Sequence, residues 1–448
     1  MGEVKGMVLL KDANVLDVDR GAFYQASILM KDGMIADIFT ENAPYEVSEV
    51  IDAKEKWVIP GLIDMHVHIK ESFAPIFVAG GITSVRNTGG NVLELKGLMT
   101  APEDSMTPRV FSADRVIDGP PGLWGETSPW NINVENSEVV IGEVKRQVEA
   151  GADFIKVYGW LSHDLMEKVV QEASRYNKEV SCDLIHSTEV NALDATEIGV
   201  KWNEHASGII QAMYPNWSMK AEKSIWDEVD WTIPDLEKIT AVCAQLLTHG
   251  VTVCPTMVLF DQMNRLKDHW NPDHELVKKV YENKSLIGQW SRLSQYEEAL
   301  KQMGIQSALN KAIAKVYFDL GGTVVAGTDT PAGVWTYPGM ALHRELELFV
   351  EAGFSELDAI RAATSVAARS IKRDDLGVIK AGAKADMILL SNNPLEDIKN
   401  TREIELVIKG GKVMTQAEIL SSVPSEEESL RLMEEFVNSF EELMVPKG

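Results

Sequence analysis

The chain has 448 residues, of which 45% are hydrophobic and 25% charged, a composition typical of a globular protein with a large core. Its formal net charge of −25 excludes nucleic acid and anionic membranes as favoured partners, because both are polyanions. No basic segment followed by an apolar run opens the chain, and no apolar stretch approaches the roughly 20 residues needed to cross a bilayer. We therefore expect a soluble protein of the cytoplasm.

Short apolar runs separated by turn signals fill both ends of the chain. Near the start, MVLLKDANVLDV and ASILMKDGMIADI predict strands, with Asp32 and Gly33 at a hairpin turn. Near the other end, ADMILLS and IELVIKGGKVM predict strands again, with a glycine pair at a turn. We expect the segments 1–59 and 375–420 to pair into one small β domain.

Between these segments, over residues 60–374, short runs suited to buried strands alternate with helical patterns. The helical pattern is clear in 137–151, 163–177 and 234–250, for example. Eight alternations of strand and helix predict an α/β fold of the (β/α)8 or TIM-barrel type. The eight predicted strands are 61–66, 82–86, 109–113, 153–158, 179–186, 200–205, 251–256 and 323–329.

Two further segments lie outside this repeating unit. Residues 257–322 are longer than one unit and predict an inserted helical segment that covers the barrel mouth. In the tail, a capping-box start at Ser425 and apolar residues at four-residue spacing predict an amphipathic helix over 421–448. We expect this helix to pack on the body of the protein or on a partner subunit of a homo-oligomer.

The stretch VIPGLIDMHVHIK carries two histidines on alternate positions. Because side chains two apart in a strand point to the same face, His66 and His68 converge on one point. A histidine alone is more often a hydrogen-bonded polar residue than a ligand. The pair therefore predicts a metal site only if other ligand types recur where the fold brings them together.

Such residues do recur at the carboxyl ends of the predicted strands, where the active sites of these barrels lie. Lys156 lies in the apolar run of the fourth strand, where an unpaired ammonium group is costly. His186 ends the fifth strand, His205 the sixth and Asp329 the eighth. Each has an ordinary explanation, such as helix capping for Asp329, but their joint occurrence at one mouth predicts a metal centre.

The three cysteines, Cys182, Cys243 and Cys254, show no CxxC spacing. An odd number of widely separated cysteines is typical of reduced structural thiols and predicts neither a disulfide framework nor a thiolate metal site. Imidazole and carboxylate ligands suit zinc or manganese.

Several parts of the chain resemble the amidohydrolase superfamily. They are the segments PGLIDMHVH (60–68) and AGTD (326–329), the strand-end lysine and histidines, and the C-terminal AATSVAARSI and DLGVIKAGAKADMILLSNNPLEDI. Within it, the chain is most similar to the imidazolonepropionase-like branch that includes metal-dependent dipeptidases of the Xaa-Pro type. The likeness covers residues 5–415.

The resemblance implies a barrel with a β-sandwich split between the termini, and two divalent metal ions, usually zinc. By position, Asp329 and the histidine pair of the first strand would hold the more buried ion. His186 and His205 would hold the other ion. Lys156, converted by CO2 into a carbamate, would bridge the two.

This ligand set implies hydrolysis of an amide, peptide or carbamate C–N bond in a small-molecule substrate. A hydroxide shared between the metals would be the nucleophile, since a metal-bound water loses its proton near neutral pH. Asp329 would accept the proton of the water and pass it to the leaving nitrogen. One metal would polarise the substrate carbonyl.

Three alternatives remain. A mononuclear cyclic-amide hydrolase or deaminase of the imidazolonepropionase type is disfavoured by Lys156, because those relatives generally lack the bridging lysine. A phosphotriesterase or lactonase would use the same nucleophile. A catalytically inactive scaffold would have lost ligands, whereas all six are present.

Substrate contacts are expected from the loops. Trp124 in the Gly- and Pro-rich loop 114–130 is a candidate pocket wall, and Trp335 and Tyr337 are candidates for an apolar rim. Tyr158 shares the face of the strand lysine and is a candidate for hydrogen bonding the substrate carbonyl. The loop lacks the Gly-Gly-His element frequent in dipeptidase-like relatives, which disfavours a simple dipeptidase.

Overall fold

The computed structural model describes residues 6–40 and 47–444, with side chains up to residue 440. Its strands lie in sheets of eight, seven and three strands. In chain order the strands are β1 (Met7–Asp17), β2 (Ala22–Lys31), β3 (Met34–Phe39), β4 (Glu49–Asp52), β5 (Trp57–Pro60), β6 (Leu62–Val67), β7 (Ile82–Asn87), β8 (Arg109–Ser112), β9 (Val116–Asp118), β10 (Asn131–Asn133), β11 (Ile155–Tyr158), β12 (Val180–Asp183), β13 (Trp202–Glu204), β14 (Thr252–Cys254), β15 (Thr323–Val324), β16 (Met387–Leu390), β17 (Ile404–Lys409) and β18 (Lys412–Met414).

Helices connect most of these strands, and short 3-10 turns lie at Glu71–Phe73, Leu266–Asp268 and Ile398–Arg402. The α-helices are α1 (Ala74–Ala79), α2 (Lys96–Met99), α3 (Ser137–Ala150), α4 (His163–Arg175), α5 (Ala192–Ile198), α6 (Ile209–Met213), α7 (Lys223–Trp226), α8 (Leu236–Thr248), α9 (Met257–Arg265), α10 (Glu275–Glu282), α11 (Lys284–Leu293), α12 (Glu297–Gly304), α13 (Ser307–Asp319), α14 (Ala341–Glu351), α15 (Glu356–Ala362), α16 (Ser365–Ser370), α17 (Gln416–Ser421) and α18 (Glu426–Met444).

The eight-stranded sheet is built from both ends of the chain. Its order is β18-β17-β16-β5-β1-β2-β3, with β4 on β1, and the two ends meet where β5 pairs antiparallel with β16. The hairpin turn between β2 and β3 falls at Asp32 and Gly33, both of which have positive φ. That conformation suits a two-residue hairpin loop, and the turn predicted there is present.

The strands of the other two sheets are parallel and account for all eight runs predicted between residues 60 and 374. Three of them form the sheet β6-β7-β8, and the rest lie in the sheet β10-β9-β11-β12-β13-β14-β15. The segment 114–130, predicted as a loop, contains β9 near its start. The chain is therefore a mixed α/β protein whose central sheets are parallel.

Backbone hydrogen bonds connect both edges of the three-stranded sheet to the seven-stranded one. On one side, the Met65 amide in β6 donates to the Ala326 carbonyl just after β15, at 2.9 Å. On the other side, the Asp153 amide just before β11 donates to the Ser112 carbonyl in β8, at 2.7 Å. These bonds are consistent with a TIM barrel.

The predicted helical segment 257–322 contains α9 to α13. Trp290 of α11 is fully buried and donates its indole N–H to the Pro331 carbonyl at 2.9 Å. Because Pro331 follows Asp329 closely in the chain, this bond places α11 beside the loop that carries a predicted ligand.

The C-terminal helix α18 packs on the body of the same chain. Phe436 and Phe440 are buried, with the Phe436 ring 5.9 Å from that of Trp130 and the Arg115 guanidinium 6.0 Å from the Phe440 ring. The Glu428 amide donates to the Ser425 hydroxyl at 3.2 Å, half of the predicted capping box.

All three cysteines are free and buried. Within the described ranges, every helix is too short or too polar to cross a lipid bilayer.

Candidate metal centre

His66 lies in the fully buried strand β6, with one ring nitrogen fixed and the other directed at a carboxylate. Its Nδ1 is 2.7 Å from Oε2 of Glu204, and its Nε2 is 3.1 Å from Oδ1 of Asp329. An ionised carboxylate can only accept, so the Nδ1–H of a neutral His66 donates to Glu204. The Nε2 lone pair then faces Asp329, as in a metal-ligating histidine.

Glu204, the last residue of β13, is held as an anion in the interior. Its Oε1 accepts from the Arg86 guanidinium at 2.7 Å and from the Ser181 hydroxyl at 2.6 Å. Burial would raise the pKa of Glu204, but the Arg86 charge and the hydrogen bond from His66 hold it well below its usual range. Glu204 is therefore a permanent acceptor that fixes the His66 ring.

His68 repeats this arrangement at the end of the same segment. Its Nδ1 is 2.9 Å from the Gly89 carbonyl and its Nε2 is 3.1 Å from Oδ1 of Asp329. Because a carbonyl only accepts, Nδ1 must carry the proton and donate it. The two histidines thus present their Nε2 atoms to one carboxylate oxygen, as the alternate spacing predicts.

His205 follows the same rule, on the other side of the site. Its Nδ1 is 2.7 Å from the Thr256 hydroxyl oxygen, and that hydroxyl donates its own proton to the Pro255 carbonyl at 2.8 Å. The Thr256 oxygen must therefore accept from His205 Nδ1–H. The Nε2 of His205 faces Oδ2 of Asp183 at 3.3 Å.

Asp329 is a buried carboxylate despite the cost of desolvation. Burial would raise its pKa, but hydrogen bonds from His66 and His68 and positive charge at His66 and His205 hold the pKa well below the usual range when no metal is bound. Asp329 is therefore ionised at neutral pH. Its position after the eighth strand agrees with the sequence prediction.

The loop that carries Asp329 is tied to β6 by a second buried carboxyl group. Asp64 accepts from the Thr328 hydroxyl at 2.7 Å and from the Thr328 amide at 3.1 Å. Burial raises the pKa of Asp64 to about 8. A Cβ added at Gly327 would lie 2.8 Å from the His66 Cβ, so this close approach of the two segments requires glycine.

Three residues of the site adopt left-handed backbone conformations that non-glycine residues rarely take. The φ angles are 64° for His205, 48° for Thr256 and 59° for Asp329. Such conformations cost about 1–3 kcal/mol each and concentrate at functional sites, where the surroundings enforce them.

Lys156 lies in β11 with its side chain fully buried. Among the described residues, its Nζ has no hydrogen-bond partner. The centre of the Tyr158 ring is 5.4 Å from Nζ. An unpartnered buried ammonium is costly, whereas a carbamate formed on Nζ would supply two oxygen ligands. The lysine therefore fits a bridging ligand.

His186 does not join this group. Strand β12 ends at Asp183, and the chain then turns, with the Ser187 amide donating to the Leu184 carbonyl at 3.1 Å. The His186 side chain is half-buried, and its carbonyl accepts from the Trp160 indole at 3.0 Å. Asp183, rather than His186, contacts His205, at 3.3 Å, and the ligand role of His186 stays a prediction.

The residues present fit divalent cations. The ligand atoms of His66, His205 and Asp329 lie within 4.8 Å of one another. Each imidazole Nε2 faces a carboxylate oxygen. In a neutral ring whose proton is on Nδ1, Nε2 cannot donate, and an ionised carboxylate cannot donate either. Either a proton on Nε2 or a cation placed between such atoms makes the arrangement favourable, and imidazole with carboxylate is the donor set that zinc and related metals take.

A second group of ligand-type atoms comprises His66, Glu204 and Cys254. It is not a metal site by its chemistry, because Glu204 already pairs with Arg86. Burial raises the pKa of the Cys254 thiol well above its usual value, so that the sulfur stays protonated.

The profile of the amidohydrolase family matches residues 57–414. The chain belongs to the amidohydrolase family. The match spans the parallel sheets, the metal centre and the C-terminal strands β16 to β18, and it confirms the resemblance found in the sequence.

Individual relatives are distant. Ochratoxinase of Aspergillus niger is 27% identical over 324 residues, 68% of this chain and 54% of that protein. Adenine deaminase 2 of Rhizobium etli is 23% identical over 429 residues, 93% of this chain and 58% of that protein. The chain thus spans about half the length of the curated relatives it matches.

Solved structures of the family share the fold. The crystal structure of a Xaa-Pro dipeptidase with bound methionine in its active site matches with a TM-score of 0.67 at 20% identity, covering 92% of this chain and 100% of the other. The ochratoxinase structure matches with a TM-score of 0.66 at 19% identity, covering 92% and 96%.

In this amidohydrolase, two of the four predicted substrate contacts lie beside the metal centre. Tyr158 is buried two residues beyond Lys156, and its ring meets the edge of Trp124 at 6.2 Å. Burial and the Asp183 charge raise the pKa of Tyr158, so its hydroxyl is a proton donor at neutral pH. Trp124 is 61% exposed and thus free to contact a ligand.

The other two predicted contacts have a packing role. Tyr337 is fully buried, and its hydroxyl lies 3.0 Å from that of Tyr281 and 3.1 Å from His269 Nε2. Trp335 stacks on His269 at 4.6 Å and donates its indole N–H to the Ser294 hydroxyl. Their polar atoms are therefore occupied by neighbours from the inserted helical segment.

Sequence reasoning missed the residues that orient the ligands, chiefly Glu204, Arg86 and Thr256. Glu204 directly precedes His205, and an acidic residue beside a ligand on a buried strand is the signal that identifies it. Asp183 carries a weaker signal than His186 three residues later, because histidine is the more typical ligand at a strand end. Thr256 carries no signal of its own, since its role depends on a neighbouring strand.

Proposed function

We propose that this protein is a metal-dependent hydrolase that cleaves an amide, peptide or carbamate C–N bond of a small molecule. The observation that carries the proposal is the common orientation of three imidazoles. Each donates Nδ1–H to a fixed acceptor outside the site and turns Nε2 towards a carboxylate. The proposed metal-holding residues that sequence and geometry together support are His66, His68, Lys156, His205 and Asp329.

Two positions for divalent ions, zinc in the first instance, follow from this set. His66, His68 and Asp329 would hold one ion, because both Nε2 atoms lie 3.1 Å from the same carboxylate oxygen. His205 would hold the other ion, and a carbamate on Lys156 would bridge them. Bound there, the ions would polarise the scissile carbonyl and activate a water molecule for attack.

Asp329 is the proposed general base and acid. Its carboxylate is ionised at neutral pH and lies 3.1 Å from Nε2 of both His66 and His68, so it can accept a proton from the attacking water. The same proton can then pass to the leaving nitrogen, which must be protonated before the C–N bond breaks. Tyr158 is the proposed donor to the substrate carbonyl, and Trp124 is a proposed wall of the pocket.

The relatives support this reaction class without fixing the substrate. A Xaa-Pro dipeptidase, as its name states, cleaves a dipeptide, and the family includes ochratoxinase. The likeness to adenine deaminase 2 supports a second candidate function, that of a mononuclear deaminase or cyclic-amide hydrolase. Lys156, which is buried and has no hydrogen-bond partner among the residues that the structure describes, favours two metals over one. Phosphotriester and lactone cleavage are outcomes of the test below, as is an inactive scaffold.

The test is a pooled hydrolysis assay read by mass spectrometry, with the metal content of the same preparation measured by elemental analysis. The pool contains N-acyl amino acids, dipeptides, carbamates, aryl amides, lactones, phosphotriesters, adenine and imidazolone propionate. We expect turnover of an acyclic amide, peptide or carbamate, lost in D329N. Turnover confined to adenine or to a cyclic or ester substrate, or none above the variant, would overturn the proposal.

The proposal extends to architecture and location. We infer a closed (β/α)8 barrel over residues 60–374, a composite β-sandwich of 1–59 and 375–420, and a separate C-terminal helix within 421–448. Parts of the first and last segments lie outside the described residues. The bonds that join the two parallel sheets and the β5–β16 pairing support this division. A cytoplasmic location and a homo-oligomeric state remain proposals from the sequence.

A further inference from the structure

We infer that the two metal positions are chemically unequal, because Asp183 is a ligand of the second one. That position is then rich in oxygen donors and favours a harder ion such as Mn2+, whereas the first position favours zinc. The inference rests on the proposed metal-dependent function and assigns a ligand that neither sequence reasoning nor the comparisons provided.

The Asp183 carboxylate is fixed beside His205. Its Oδ2 lies 3.3 Å from Nε2 of His205, the nitrogen that the Thr256 bond leaves without a proton in the neutral ring. Its Oδ1 accepts from the Ile185 amide at 3.0 Å, which fixes the side chain. Oδ2 and Nε2 are thus two electron-pair donors aimed at a shared point, and both side chains are buried.

The backbone at the end of β12 separates Asp183 from His186. In the parallel register of β11 and β12, Asp183 pairs with Tyr158 and Ser181 pairs with Lys156. Alternation places Ser181 and Asp183 on one face of β12, and the Ser181 hydroxyl donates to Glu204, the residue that orients His66. His186 follows the strand end and a turn, so it falls outside this alternation.

The buried Lys156 ammonium supplies an independent observation at the same place. Lys156 Nζ is fully buried without a hydrogen-bond partner among the described residues, although Asp183 lies on the adjacent strand. An ion pair between these neighbouring strands would satisfy both the Lys156 ammonium and the Asp183 carboxylate, but the two groups do not form one. A carbamate on Lys156 and the Asp183 carboxylate can instead share one cation with His205.

The donor atoms then differ between the two positions. The first has two imidazole nitrogens, from His66 and His68, and one carboxylate, from Asp329. The second has one imidazole, from His205, and two anionic oxygens, from Asp183 and the carbamate. Imidazole suits zinc, whereas carboxylate ligands suit Mn2+ and Mg2+. We therefore expect the second ion to be harder and more easily removed by a chelator.

The experiment measures metal content and selectivity of the full-length protein, independently of any substrate. Wild type, D183N, D183H and H186A are equilibrated with zinc and manganese mixtures at graded ratios, desalted and analysed for both elements. D183N keeps the Oδ1 acceptor and removes the charge. D183H supplies a second imidazole, and H186A is the matched control three residues away. Thermal melting of each variant checks that it is folded.

We expect D183N to lose about one ion per chain relative to wild type, and H186A to lose none. D183H should keep both ions and raise the ratio of bound zinc to manganese at the weaker position by about tenfold or more. Loss of the second ion in H186A but not in D183N would overturn the inference in favour of the histidine. Unchanged selectivity in a folded, fully loaded D183H would overturn the assignment of donor hardness.

Failure of the proposed function gives a different result. If wild type binds no metal at any ratio, the metal-dependent function itself is wrong. If wild type binds two ions and the Asp183 variants behave as wild type, only the inference is wrong.

Discussion

His66 donates its Nδ1–H to Glu204 across 2.7 Å, in a part of the interior where both side chains are buried. This bond decides which nitrogen of His66 is free to bind a metal. Carboxylates that hold ligand histidines in this way commonly change metal affinity by about 10–100-fold when they are altered. The second oxygen of Glu204 pairs with Arg86, so the charge of Glu204 is also balanced.

The first prediction concerns this bond. E204Q keeps the shape of the side chain but presents one amide nitrogen where a carboxylate oxygen was, and it leaves Arg86 without its counter-charge. We expect metal affinity to fall by about 10–100-fold and turnover to fall with it. Isothermal titration of the metal-depleted protein measures the affinity.

S181A is the matched control, because it removes a neutral donor from Glu204 and keeps the charge. Its metal affinity should stay within about threefold of wild type, as expected for loss of one hydrogen bond on the far oxygen. Equal losses in E204Q and S181A would show that the carboxylate acts only through packing.

The second prediction concerns Lys156. If its Nζ carries a carbamate, protein loaded with metal in 13C-bicarbonate should show a carbamate carbon resonance. K156M, which retains an apolar stem of similar length, should lack the resonance and hold less metal. A resonance that persists in K156M would come from another lysine, and equal metal content in both proteins would contradict the bridging role.

Much of the fold could be predicted from the sequence, because the buried parallel strands are short apolar runs with clear flanking signals. Every run predicted between residues 60 and 374 contains a strand. The position of His66 and His68 followed from strand alternation alone. Both predictions depend on local periodicity, which the sequence records directly.

The rest of the site depends on where strands stop and how neighbours pair. The run 179–186 remains apolar beyond Asp183, but β12 ends there, level with Tyr158 at the end of its partner β11. Alternation alone would direct Glu204 and its neighbour His205 to opposite sides. The positive φ of His205 turns it back towards the site, and no sequence period records that turn.

The third prediction concerns Tyr158. Its hydroxyl is expected to donate to the substrate carbonyl, so Y158F should lower kcat by about 10–100-fold, the range for loss of one donor to a developing oxyanion. Because the ring and its contact with Trp124 remain, metal content and thermal stability should be unchanged. Steady-state kinetics on the substrate identified in the pooled assay provide the measurement.

W124A is the companion variant for the pocket wall. It removes an exposed indole and leaves the Tyr158 hydroxyl in place, so its effect should fall on KM. A fall in kcat with unchanged KM in W124A, together with full activity in Y158F, would contradict both assignments, because Trp124 and not Tyr158 would then act on the chemical step.

The fourth prediction concerns a buried ion pair away from the metal centre. Glu143 of α3 accepts from Arg115 through both oxygens, at 2.8 and 2.7 Å, and also from Arg146. Burial alone would raise the pKa of Glu143, but the two guanidinium groups lower it from 4.5 to about 2. The folded state therefore binds this proton more weakly than the unfolded state does.

The sign of the pH dependence follows from that shift. The contribution of Glu143 to the free energy of unfolding is complete above pH 4.5, the unfolded pKa, and is lost as the pH falls towards 2. At neutral pH, E143Q should be less stable than wild type by about 3 kcal/mol, since one pKa unit corresponds to about 1.4 kcal/mol. Urea unfolding of both proteins at several pH values measures the difference, which should shrink as the medium becomes acidic.

E149Q is the control, because Glu149 and Lys145 form an exposed pair at 3.7 Å that contributes little. Curves for wild type and E143Q that stay parallel down to the acid limit would mean that the charge of Glu143 does not stabilise the fold and that its contribution comes from packing.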